Sequence, residues 1–411
     1  MRILIADDSI PVPPPPTGRP SAKLHGDIGG AVTMKYDLGR PVAVSAPRTT
    51  GVDADGCGPQ EIAPPCPELD LQDQPEHLAS ALDALGLALL NRGCLKEGRQ
   101  FIEQAFEIRV AYFGKDHPIT AQSRNSRARA LRMADELIAA GKEIDNAIKI
   151  NRRVYKANSY PFAINLNERG AIELYLGQFR DAEKSALNGQ DILRRLGLAG
   201  TDPNWTRLLD IQGRALIGRA LETINESAKE KLLHNAERIL RDAVNLDARQ
   251  VGRGHPKYAT HLNNLAVAEE MLGNLIDAAT HLQEAIDVYD KSVKLPAHPN
   301  LIDMHANLGS VQTKQQDYTK AKDSLCKALG LNKQVRGPDD TLVGNDHANL
   351  GRLYFAMGNR DDARKQFEQA RDIYKRNVKA GKLPRKHPYI REVEIWLDRV
   401  KKAERTARKS S

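Results

Sequence analysis

The sequence predicts an all-α protein, a solenoid of antiparallel helix pairs. Three observations predict it. A small residue recurs late in each unit, at Ala105, Ala147, Gly189, Ala243, Ala285, Ala328 and Ala370, with steps of 42, 42, 54, 42, 43 and 42. A second small residue stands seven positions before each, at Gly98, Ala140, Ala182, Ala236, Ala278, Ala321 and Ala363. Between units lie turn-forming corners, "GKDHP", "GRGHP", "LPAHP", "RGPDD" and "PRKHP". A helix cannot bury its apolar face alone, so a fixed period of this length implies stacked units that share one core.

Residues 1–70 hold 12 of the 22 prolines and eight glycines, a composition that predicts a disordered leader or linker. "PVPPPPTGRP" suits extended polyproline and could serve as a proline ligand for a partner. "MRILIADDS" looks like a buried strand ending in an acidic pair, as a response-regulator receiver domain begins. Pro11 and Pro13–Pro16 follow at once, so no phosphorylation chemistry is expected there. From about Leu71 apolar residues recur at helical spacing, and the array is assigned to residues 71–400.

Within the array, unit five shows the logic most clearly in "GRGHPKYATHLNNLAVAEEMLGN". Pro256 opens the first helix and Gly273 ends it, because glycine tolerates a left-handed cap. Ala266, Ala278 and Ala285 let the two helices approach closely. Leu262, Leu265, Leu272, Leu275, Leu282 and Ile286 form the stripe between them. Unit two lacks the signature glycines. Unit four carries eleven extra residues within "GRALETINESAKEKLLH", about three helical turns, which predicts lengthened helices. "HPYIREVEIWLDRVKKAERTARK" closes the array as a capping helix, with Ile390, Val393, Trp396, Leu397 and Val400 on one face. Residues 401–411 form a basic tail expected to fray.

This pattern resembles the tetratricopeptide repeat, and more closely its 42-residue kinesin-light-chain form, whose unit reads roughly HP-x-x-A-x-x-L-N-N-L-A, then Gly, then an Ala-rich second helix. Residues 255–285 match it almost position by position, and the resemblance covers about residues 75–375. It implies a right-handed superhelical solenoid of about seven repeats plus the cap. It also implies that the first helices line a concave groove. In that register Asn263 points into the groove and Asn264 braces the neighbouring unit, with Asn307 and Asn349 as counterparts. Positions matching Asn263 include Asn125, Asn167 and Asp210. The next turns bring Arg129, Arg214, Ser310 and Arg352, then Arg132, Leu174, Thr313 and Phe355.

The expected peptide-binding groove therefore comprises Asn125, Arg129, Arg132, Asn167, Arg207, Asp210, Arg214 and Asn263. Asparagine can bond both N–H and C=O of an extended peptide, and arginine clamps carboxylates, so the expected ligand is a short acidic or aromatic-acidic segment. The alternative is a solvated concave face without a dedicated ligand.

The chain carries no phosphate-binding glycine loop, no H-E-x-x-H and no nucleophile elbow. The histidines fall mostly at corners (His117, His255, His298, His387) or on first helices (His261, His305, His347); at corners the His-Pro pair has a structural reading, and no metal or cofactor is expected. Cys57, Cys66, Cys94 and Cys326 form no C-x-x-C pair. The net charge of +8 is concentrated at the end: residues 375–411 carry 13 Lys/Arg against four Asp/Glu. Nucleic acid is nonetheless an improbable partner beside a helical interaction array. No apolar run approaches a membrane span, and the cytoplasm is the expected location.

The function expected is a non-enzymatic scaffold that binds a protein or peptide partner in its groove. One alternative places recruitment in the leader or convex face, with the repeats as spacer. Another is an enzyme with an unfamiliar site around Glu222–Glu230. Partner identity and oligomeric state stay open.

Overall fold

The computed structural model describes residues 75–155, 159–293 and 298–410. The expectations for the leader lie outside the described residues. Fifteen α-helices, and no strand, are found among the described residues. The seven pairs are α1 (Pro75–Asn91) with α2 (Leu95–Phe113), α3 (Pro118–Met133) with α4 (Leu137–Val154), α5 (Tyr160–Tyr175) with α6 (Phe179–Arg195), α7 (Pro203–Glu222) with α8 (Glu226–Gln250), α9 (Pro256–Leu272) with α10 (Leu275–Ser292), α11 (Pro299–Lys314) with α12 (Tyr318–Arg336), and α13 (Thr341–Ala356) with α14 (Arg360–Lys379). The last helix, α15 (Pro388–Ser410), packs on α14 and continues past residue 400. Each helix packs on the next, and each first helix touches the first helix of the following pair.

The fourteen recurring small residues are all buried. Glycines of the first helices also stand at close helix crossings. A methyl built on Gly351 would stand 2.7 Å from Phe367 Cε1, and one on Gly309 would stand 2.6 Å from Leu325 Cγ. The unit-four insertion is absorbed as expected, since α7 has 20 residues and α8 has 25, with only Thr223, Ile224 and Asn225 between them. Asn225 Oδ1 accepts from the Ala228 N–H and starts α8.

The corners obey a rule. In six of the seven pairs the turn between first and second helix holds a positive-φ residue, Gly93, Asp135, Gly177, Gly273, Gln316 or Gly358; the turn of the lengthened unit four does not. Where the next unit begins, a side chain caps the new helix at α3, α7, α9, α11 and α13, though not at α5. His117, His255 and His298 each accept the backbone N–H two residues on through Nδ1, at 3.0–3.2 Å. Proline is the first helical residue of α3, α7, α9, α11 and α15. The histidine–proline pairs are thus helix starts.

One feature goes beyond the stacked units. After five pairs the superhelix meets itself. Asn91 and Gly93 of pair one lie under His298 and Pro299 of pair six, with His298 Nε2 donating to the Asn91 carbonyl at 2.8 Å. Met133 and Asp135 of pair two meet Arg336 and Thr341, through Arg336 Nη1 to the Met133 carbonyl at 3.3 Å and the Thr341 N–H to Asp135 Oδ2 at 3.4 Å. Tyr175 and Gly177 of pair three meet His387 and Pro388, with His387 Nε2 donating to the Tyr175 carbonyl at 2.7 Å. The apolar core crosses this seam, since Leu137 belongs to the cluster of Ala348, Phe367, Leu383, Val393 and Leu397.

The close packing makes a direct prediction. Gly351→Leu forces Phe367 out of its position and should destabilise the chain by about 1–3 kcal/mol, as overpacking does. Urea unfolding followed by circular dichroism measures it, and an unchanged midpoint would contradict the packing described.

Candidate functional site

The first helices carry many buried polar side chains, and these bond to side chains of neighbouring units. Seven of the eight expected groove residues are buried and Asn125 is half-buried. Glu168 on α5 is buried at a junction of three units. It accepts from Arg132 Nε at 2.7 Å on one oxygen and from Arg207 Nη2 at 2.9 Å on the other, joining pairs two, three and four. Sequence reasoning passed over Glu168, although it directly follows Asn167. Arg129 Nη2 donates to Asn91 at 2.7 Å, and Asn167 Nδ2 donates to Asn204 at 3.0 Å. Asn125 Oδ1 accepts at 3.5 Å from Asn165, which in turn accepts from Asn151 at 2.6 Å.

The two asparagines of unit five are joined in one ladder. Asn307 Nδ2 donates to Asn263, Asn263 Nδ2 donates to Asn264, and Asn264 Nδ2 donates to Asp210, at 2.7–2.9 Å. Arg214 closes it with a 3.3 Å ion pair to Asp210. Asn264 makes the neighbour contact expected of it, and fully buried Asn263 also bonds a neighbouring unit. The network pairs many of the buried polar groups, while Asn151 Oδ1, Asn167 Oδ1, Arg129 Nε and Arg214 Nε are buried without a hydrogen bond at that atom.

Accessible space survives at one end of the concave face, in a cavity of about 740 Å³. Its walls are the ends of α5 and α7, the inner faces of α11 and α13, and α15. Leu174, Arg214, Ser310, Thr313, Arg352 and Phe355 line it, and all six stand at register positions expected to face the groove. The unit-four tip adds Leu221 and the 93% exposed Ile224, and α15 adds Ile395 and Trp396. Trp396 is fixed between Phe355 and Phe367, at ring-centre distances of 5.5 and 5.6 Å. Around these apolar surfaces stand Arg214, Lys314, Arg352, Lys386, Arg391 and Arg399, against Glu222, Asp303 and Glu392. Arg352 Nη1 bonds Glu392 at 2.6 Å, while Arg399 lies 4.7 Å over the Trp396 ring. Arg214 and Lys314 are each paired at 3.3 Å with Asp210 and Glu270, which lie outside the lining, so the positive excess rests on Lys386, Arg391 and Arg399. Sequence reasoning assigned α15 a capping role and missed it as a wall. Its signal was the basic residues interleaved with Ile395 and Trp396.

Beside the cavity, the middle seam step buries charge. Asp135 faces Asp340, Arg336 and Thr341, with Arg132 and Asp303 lining the same small space of about 30 Å³. Burial first, then Asp340, pushes the Asp135 carboxyl up to about 7, against Thr341 and Arg336. Burial pushes His305 and His387 down to about 4 and lowers His298 and His347 too. Among the described residues no His/Cys/Asp/Glu group has the arrangement of a metal site, and no helix is long and apolar enough to cross a membrane.

A superhelix of paired helices with an inward polar face and an apolar, basic cavity defines a class, the helical-repeat interaction scaffold. The tetratricopeptide repeat family model matches residues 77–142, 228–291 and 300–376, just over half of the chain, and the chain belongs to that family. No curated protein matches. Among solved structures, the chain is similar to the Rap conjugation gene regulator of the plasmid pLS20 in complex with the Phr* peptide, at 13% identity and TM-score 0.54, over 77% of this chain and 81% of that one. It is similar to NprR in complex with its cognate peptide NprX, at 15% identity and TM-score 0.53, over 81% and 83%. A Podosopora anserina putative kinesin light chain with nearly identical TPR-like repeats matches at 17% identity and TM-score 0.39, over 54% of this chain and 98% of that one. These likenesses describe the fold.

Two predictions follow from the buried charges. Glu168→Gln leaves Arg132 and Arg207 without their shared counter-charge and should cost about 3–5 kcal/mol in urea unfolding. A loss below ~1 kcal/mol would show the network to be dispensable. For pH, the lowered histidines stay neutral in the fold while unfolded histidine takes up protons below about 6.5. Their stability contribution is full above that pH and is lost as pH falls toward 4. Asp135 has the opposite sign. Its contribution is full below the unfolded value of 3.8 and is lost as pH rises through about 7. Asp135→Asn removes the opposing slope, so melting temperature should fall more steeply from pH 6.5 to 4 than in the wild type. Equal slopes would contradict the assignment.

Proposed function

We propose that this chain is a binding scaffold whose cavity holds a short acidic segment of a protein partner, with apolar side chains of that segment against Trp396, Phe355 and the unit-four tip. The observation that carries this reading is the apolar cavity bordered by the exposed cations Lys386, Arg391 and Arg399. A volume of about 740 Å³ lies within the range of pockets that enclose small ligands, so a few residues of a segment would fill it. Two solved structures similar at TM-score above 0.5, Rap with Phr* and NprR with NprX, are peptide complexes, which supports a peptide as the occupant. The buried Asn and Arg residues act in this reading as supports that fix the walls, and Arg214 is the one of the expected eight that borders the cavity.

The role is binding rather than turnover, in the cytoplasm as composition suggests. The acidic residues of the insertion suit a solvated helix start, where Glu226 pairs with Lys229 at 3.1 Å. The leader (1–70) and the basic end (401–411) are appendages to the array in this reading.

The test uses fluorescence anisotropy with labelled eight-residue peptides of alternating Asp and Leu around one Trp, and their counterparts with Lys for Asp. The acidic peptides should bind and the basic ones should not. Arg391→Glu with Arg399→Glu, both exposed, should weaken acidic-peptide binding by about tenfold or more. Equal binding of both peptide classes, or no effect of the double charge reversal, would sink the reading.

A further inference from the structure

The three steps of the seam are not alike. In the outer two, a positive-φ glycine of the lower turn receives a proline of the upper turn: Gly93 under Pro299, and Gly177 under Pro388. In both, a histidine preceding that proline donates Nε2–H to a lower-turn carbonyl. The middle step breaks the pattern on both sides at once. The lower position is Asp135, held at φ 61, and the upper one is Thr341, the first residue of α13.

Each departure is unfavourable by itself. Aspartate adopts the left-handed region less readily than glycine, and threonine at a first helical position lacks the preset φ of proline. Each is explained by the other. Proline has no N–H, whereas Thr341 does, and that N–H donates to Asp135 Oδ2 at 3.4 Å. The carboxylate needs a donor from the opposite turn, and only this upper corner supplies one.

We propose that Asp135 and Thr341 are a register key that decides which corners of the two turns meet. A superhelix whose steps were all glycine on proline could close one unit out of place with similar contacts. With the key present, a slip by one unit puts Asp135 under Pro299 or Pro388. The carboxylate is then buried against a residue with no N–H, while Thr341 faces a glycine with no side-chain acceptor. Leaving buried polar groups unpaired disfavours both slipped forms. Register matters for the cavity because the third step, Tyr175 and Gly177 against His387 and Pro388, forms part of its wall. That consequence rests on the binding reading above, but the key itself does not.

The experiment is an exchange of one step type for the other, read by small-angle scattering and by amide exchange at residues 91–95 and 387–390, the outer steps. Thr341→Pro alone should leave Asp135 facing proline, enlarge the radius of gyration and speed exchange at both outer steps, with helix content unchanged by circular dichroism. Asp135→Gly alone should loosen the seam less, because it buries no orphan carboxylate. The double variant, Asp135→Gly with Thr341→Pro, converts the middle step to the outer type and should recover wild-type compactness. If Thr341→Pro is as compact as the wild type, the proposal is overturned. If it instead fails to fold, the double variant decides: recovery of the fold supports the key, and continued failure overturns it. None of these readings needs a ligand, so they stand or fall separately from peptide binding.

Discussion

A stack of helix pairs has no intrinsic reason to return to itself, and most of its stability lies between neighbouring units. Here the corners of pairs one, two and three support those of pairs six, seven and the cap. Contacts such as His387 to Tyr175 span 212 residues. Everything else about the interior follows from that contact. Closing the turns removes solvent from the concave face, so polar groups that an open groove would leave hydrated must find partners inside. Glu168 bridging Arg132 and Arg207, and the ladder from Asn307 to Asp210, are how the sequence meets that demand. The demand is severe because a buried charge without a partner costs several kcal/mol.

The same closure decides where a ligand can sit. The polar interior is filled by its own side chains, and open volume is left where the first helices of pairs six and seven diverge from the unit-four tip and α15. The three extra turns of unit four carry Leu221 and Ile224 to that edge. The last helix turns one apolar side into the core through Val393, Leu397 and Val400, and brings Ile395 and Arg399 to the cavity. A helix that only covered a free end would need no such second face.

The helix pairs were legible from the sequence because they rest on local rules: a small residue at each close crossing, a proline at most unit starts, a glycine at most turns within a unit. The inward register was legible for the same reason, and Leu174, Ser310, Arg352 and Phe355 do border the cavity. Exposure was not legible. Whether Asn263 meets a ligand or a neighbour depends on how far the superhelix winds, and a small rotation per unit accumulates over five units. Periodicity alone does not contain that angle. His298 and His387 show the limit clearly. Their capping role is written in the His-Pro pair, while the bond from Nε2 to a carbonyl two hundred residues away is not.

Departures from the repeat carry that missing information. Unit two lacks its glycine and unit seven lacks its proline, and taken singly each looks like drift. Placed on the closed superhelix, Asp135 and Thr341 stand opposite one another. Gln316 is the other non-glycine at positive φ, and it marks no seam contact, so a departure alone means little. What gives the pair its weight is complementarity, a carboxylate where an acceptor is needed and an N–H where proline would remove the donor. In a repeat protein the consensus specifies the unit. Paired exceptions of this kind are where the sequence can specify how the units close.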